Sequence, residues 1–160
     1  MTTDWVDDFR RTIDHAGARL QEISEAHAAT PPAEGKWSPK QIVGHLIDSA
    51  ANNHQRFVRA QFSDDLVFPG YDQEAWVEVQ RYNDESWSRL VQLWQNYNLH
   101  LCHLISKTPE DVRLKLRTSH NLDRIAWKTV SAAEPVTLEY FMRDYVAHLQ
   151  NHLNQIFDTL

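Results

Sequence analysis

Apolar residues recur along most of this 160-residue chain at three- and four-residue steps, the period of an α-helix with one buried face. Between Asp4 and Ala28 the stripe is Trp5, Phe9, Ile13, Ala16, Leu20 and Ile23. Pro31-Pro32 stops it, because proline supplies no N–H and clashes with the preceding turn. A second helix opens with a capping Ser38, Pro39 at the first helical position and Gln41 three residues after the cap. It is expected to run to about Phe62 along Ile42, Leu46, Asn53 and Phe57, before Pro69-Gly70 breaks the chain and a short helix forms over 73–79. A third long helix is predicted over 84–107, striped by Trp87, Leu90, Val91, Trp94, Tyr97, Leu101, Leu104 and Ile105. A fourth starts at a capping Thr137 and runs to about Asp158, its inner side marked by Leu138, Phe141, Met142, Tyr145, Leu149, Leu153 and Ile156. Residues 110–136 break the period. Val112–Arg117 alternates apolar with basic residues and Ile125–Val130 reads as extended, so a long excursion with one short hairpin is expected there.

Four long amphipathic helices bury their stripes most simply against one another. The expected fold is all-α, a four-helix bundle in a single domain spanning 1–160, with a long crossover connection before the last helix. A chain of this length builds a core without disulfide staples, and the one cysteine, Cys102, has no intrachain partner and reads as inert packing. With 16 basic against 22 acidic residues the formal charge is −6, which argues against nucleic acid as a partner. Four glycines leave no phosphate-cradling loop of the common types. No apolar run approaches the roughly 18 residues of a membrane span. Met1–Asp8 carries neither the basic nor the apolar stretch of a secretory signal, so a cytoplasmic location is expected.

Nine histidines are many for this length. His148 and His152 stand four apart, one helical turn on one face, beside the stripe of the fourth helix. Two neutral imidazoles there need partners for both ring nitrogens; a shared metal supplies one, and separate bonds to neighbouring groups are the alternative. On the second helix His45 is followed by Asp48, Asn52 and Arg56 at +3, +7 and +11, either a polar pocket in the bundle or a solvent-facing stripe. His54, half a turn off, cannot share an ion with His45 from the same helix. His100 and His103 are weak candidates for chelation, and His15, His27 and His120 read as surface residues. Trp37, Tyr71, Trp76 and Tyr145 read as core or staple residues rather than substrate platforms.

The string from Trp37-Ser-Pro-Lys-Gln through His45-Leu-Ile-Asp48 to Arg56-Phe57 resembles the DinB-like superfamily, and within it the YfiT-type group of metal-dependent hydrolases and bacillithiol transferases. Gly70–Trp76 and Tyr145–Ile156 are similar to stretches of the same group, in the same order along nearly the whole chain. The chain departs from many relatives in carrying Gln150 and Asn151 between the last two histidines, and in the composition of 113–134. The resemblance implies a four-helix bundle, a homodimer, and one divalent ion, zinc or nickel, bound by His45, His148 and His152. Three imidazoles leave an open coordination position, suited to activating a water or a thiol. The expected function is therefore a metal-dependent hydrolase or thiol S-transferase acting on a small molecule, with a low-molecular-weight thiol as co-substrate in the transferase case. In it Asp48 would be the catalytic residue, orienting an imidazole or carrying a proton, and Asn52 and Arg56 would bind substrate. A bundle that keeps the ion for stability, without catalysis, is the alternative.

Overall fold

In a computed structural model residues 4–160 are described; the first three residues of the N-terminal stretch considered above lie outside that range. Three of the long helices begin where the sequence supplies caps. The Ser38 hydroxyl accepts the Gln41 N–H at 3.2 Å while the Gln41 side chain accepts the Ser38 N–H at 2.9 Å, closing a capping box ahead of Pro39. Ser86 and Thr137 cap the third and fourth long helices in the same way, each accepting the N–H three residues on. The four are α1 (Asp4–Gln21), α3 (Pro39–Arg59), α5 (Trp87–Lys107) and α8 (Leu138–Phe157). Short helices lie between them: α2 (Glu25–Ala28), α4 (Gln73–Gln80), α6 (Glu110–Leu114) and α7 (Leu122–Ile125).

The stripes read from the sequence form one core. Phe9, Ile13 and Leu20 of α1, Leu46 and Phe57 of α3, Trp94 and Leu101 of α5, and Met142 and Leu149 of α8 are all buried. α5 packs against both α1 and α3, and α3 also packs against α8. α8 reaches α1 through side chains, with Phe9 edge-on to Tyr145 and Arg19 over the Phe157 ring. Around the bundle the order is therefore α1, α5, α3, α8. The chain crosses the bundle diagonally from α1 to α3 and again from α5 to α8, so the expected crossover before the last helix is present, and it is not alone.

Four expectations are corrected. The first helix ends at Gln21 rather than Ala28, because extended Ser24 caps a separate turn, accepting the His27 N–H at 3.2 Å. The third begins at Trp87 rather than Asp84, after a 3₁₀ turn over Tyr82–Asp84. The segment before α8 carries no hairpin: α6 and α7 occupy it, with isolated bridges joining Leu66 to His120 and Arg117 to Val136. The alternation in Val112–Arg117 has another use. Arg113 is buried in an ion pair with Glu139 of α8, and Arg117 donates to the backbone carbonyls of Ala60, Val112 and Lys115. His120, expected at the surface, is buried for the same reason: its Nδ1 accepts the Leu122 N–H at 3.2 Å, leaving Nε2–H to donate to the Glu134 carbonyl at 2.7 Å. Among the described residues no helix is long and apolar enough to cross a membrane.

Candidate metal centre

Because α3 and α8 are neighbours, one face of each meets the other, and both carry imidazoles at the contact. His45 and His148 bring their Nε2 atoms to 3.2 Å, and those of His148 and His152 lie 3.1 Å apart. Each of the three rings offers a nitrogen within 4.8 Å of the other two. His45 is fully buried, His148 is buried and His152 is half-buried.

Burial, then the neighbouring imidazoles, push the His45 pKa down to about 3 and that of His148 down to about 4; burial also lowers His152. All three rings are therefore neutral near pH 7. His152 Nδ1 faces Gln155 Oε1 at 2.9 Å, which fixes the proton on Nδ1 and leaves Nε2 a lone pair. Three such nitrogens facing one another cannot all be satisfied by shared protons. They do suit a cation: at zinc–nitrogen distances of 2.0–2.1 Å, tetrahedral ligands stand about 3.3 Å apart, close to the separations found here. The donor set fits a divalent ion.

The rings are held from several sides. The Trp37 ring lies 5.2 Å from that of His45, and the Trp127 ring 6.1 Å from that of His148. Gly44, just before His45, admits Tyr82: a Cβ at Gly44 would come within 2.1 Å of the tyrosine ring. That close approach brings the Tyr82 hydroxyl to Asp48, donating to Oδ1 at 2.7 Å, with Gln80 Nε2 donating to the same oxygen at 2.8 Å. Asp48 Oδ2 is buried without a partner, and burial raises the Asp48 pKa against the pull of those two bonds. His45 Nδ1 is likewise buried and unpartnered.

Beside the imidazoles opens a cavity of about 480 Å³, lined by His148 and His152 at one end and reaching Arg56 along α3. Arg56, read from the sequence as a substrate contact, is on its wall. Asn52 is not among the lining residues: its amide donates to the Asp48 carbonyl at 2.9 Å, and Asn53 stands at the cavity in its place. Asp48 also lies outside the lining, and no hydrogen bond joins it to an imidazole among the described residues. Tyr71, expected in the core, lines the cavity, while Trp76 stands exposed with its ring tilted against that of Tyr71, centroids 4.9 Å apart. His54 turns to Tyr97 and His100 on the α5 side, away from the triad, as its register requires.

Sequence reading missed Asp144. Its two carboxylate oxygens accept the N–H groups of Trp127 and Lys128, each at 2.8 Å, and so pin the segment after α7 over the cavity. Its place one turn before His148 on α8 was the available signal.

A sequence profile of the DinB superfamily matches residues 8–156. The chain belongs to the DinB superfamily. Among DinB relatives, a Bacillus subtilis protein bearing the name "Putative metal-dependent hydrolase YfiT" is 25% identical over 154 residues, spanning 94% of this chain and 81% of the relative. A similarly named protein of Oceanobacillus iheyensis is 26% identical over 73 residues, which is 46% of this chain and 42% of that one. The solved structure of YfiT, described as "a probable metal-dependent hydrolase with an unusual four-helix bundle topology", aligns with a TM-score of 0.75 at 21% identity, over 99% of this chain and 87% of YfiT. The DinB bundle, with its diagonal connections, is thus the shared architecture, and the triad sits where α3 and α8 meet within it.

Proposed function

We propose that this chain is a metal-dependent enzyme that binds one divalent ion, zinc or nickel, through His45, His148 and His152, and acts on a small molecule as a hydrolase or thiol S-transferase. The observation that carries this reading is the convergence of three neutral imidazoles, two of which, His148 and His152, line an open cavity. When bound, the cation would lower the pKa of a water or thiol and polarise a substrate oxygen. The names of the relatives favour water as the nucleophile.

The chain's own groups do the rest. His152 keeps its Nε2 lone pair aimed at the site through Gln155. Trp37 and Trp127 flank the triad and restrict water around it. Asp48, one helical turn from His45 and outside the cavity lining, acts in this reading as a positioning residue, holding that turn of α3 through the bonds it accepts from Tyr82 and Gln80. Asn52 fixes the α3 backbone at Asp48, and Arg56 contacts the substrate. The working form is taken to be a cytoplasmic homodimer, which sedimentation would check.

Metal analysis of protein prepared without chelator decides the matter. About one ion per chain is expected, with loss of that ion in His148→Ala. A variant that holds metal as well as the parent rejects the site. A second reading is favoured by the placement of the ligands on two different helices: the ion clips α3 to α8 and serves stability alone. Chelator-sensitive melting without turnover on any ester, amide or thiol–electrophile pair would select it.

A further inference from the structure

Arg56 is 6% exposed, yet its charge has no carboxylate partner among the described residues. Its Nη2 donates to the Pro69 carbonyl at 2.9 Å, and Nη1 reaches Asn53 Oδ1 at 3.5 Å. The other buried guanidiniums are better served: Arg113 pairs with Glu139, and Arg117 donates to three backbone carbonyls. A buried charge is costly unless it is paired and its donors are satisfied. Arg56 faces the cavity, and so does Arg124. The one carboxylate in the lining, Asp144, already has both oxygens engaged by the N–H groups of Trp127 and Lys128. Arg124 is mostly exposed and lies 3.9 Å from Asp123, so Arg56 is the buried guanidinium on this cavity with donors left over.

We propose that the cavity takes an elongated small molecule bearing a carboxylate, gripped by the Arg56 fork, with its reacting end at the histidine triad. The proposal rests on the metal-enzyme reading for the second end only. Arg56 follows His45 by eleven residues on α3, roughly 16 Å along the helix axis. The carboxylate is therefore an anchor that sets specificity, remote from the bond that reacts. A planar guanidinium matches a carboxylate with two parallel N–H bonds. The Tyr71 and Phe141 rings, each 5.9 Å from the guanidinium carbon, supply an apolar wall for the body of the ligand.

Calorimetric titration of the full chain with 4-phenylbutyrate, its neutral amide and inorganic phosphate tests this, in metal-free and zinc-loaded protein. The acid should bind at least tenfold more tightly than the amide in both forms. Arg56→Gln should bring the acid down to the amide, and His148→Ala should leave the difference intact. If Arg56→Gln fails to fold, Arg56→Lys replaces it, with at least a threefold loss of discrimination expected. Equal binding of acid and amide by the parent, binding of neither, or phosphate binding more tightly than the acid overturns the proposal. So does discrimination that survives in Arg56→Gln. Failure of the metal reading shows separately, as absence of bound ion while the metal-free discrimination stands.

Discussion

At the scale of single residues, the site depends on a few close approaches. Gly44→Ala would normally favour a helix, since alanine is better than glycine there by about 1 kcal/mol. Here the added Cβ meets the Tyr82 ring, and overpacking of this kind costs about 1–3 kcal/mol. The expected outcome is a net loss of stability in urea melts, together with displacement of the Tyr82–Asp48 bond. Glu25 gives a pH-dependent case. Its carboxylate pairs with buried Lys40 and accepts the Trp87 N–H at 3.0 Å. The bond from Lys40, then the one from Trp87, holds its pKa below the ordinary carboxylate value. Because the folded pKa is depressed, the stabilisation is full above the ordinary value near 4.3 and is lost as pH falls through the depressed one. Glu25→Gln should therefore lower the urea midpoint at pH 7, and the gap to the parent should close as acid protonates Glu25 in the parent.

At the scale of elements, the segment between α5 and α8 is held by side chains rather than by its own periodicity. Asp144 is the main tie to α8 at the cavity. Asp144→Asn replaces one acceptor oxygen with a donor facing a backbone N–H. The expected cost is about 1–3 kcal/mol, with a changed Trp127 fluorescence and faster amide exchange at Trp127 and Lys128. The same dependence explains what could be read in advance. The four long helices were legible because each carries a repeated apolar stripe, and two of them also a capping residue, Ser38 or Thr137, whose effect is local. α6, α7 and the burial of His120 were not, since Arg113, Arg117 and His120 find their partners in Glu139, Ala60 and Glu134, none of which follows from spacing. The alternation in Val112–Arg117 looked like a strand because basic residues usually face water, and here two of the three are buried.

At the scale of the whole molecule, a cation shared by α3 and α8 would couple binding to the fold. Metal that binds the native chain and not the unfolded one stabilises it by about 2.7 kcal/mol at 100 times its Kd. Melts with zinc and then with excess chelator should differ by several degrees in the parent and coincide in His148→Ala; equal melts in the parent would count against binding. The amino-acid order alone determined the helical class, the Ser38 and Thr137 caps, the placing of His148 and His152 on one face and, through resemblance, the DinB family and the three histidines. All of these are set by local spacing or by a pattern kept along the chain. Only the tertiary structure decided that α1 and α3 are diagonal, that α3 and α8 touch so that the Nε2 atoms converge, that Asn53 rather than Asn52 faces the cavity, and that Arg56 is buried without a carboxylate. Those facts depend on which helix faces meet, and a helical repeat specifies a buried face without naming what buries it.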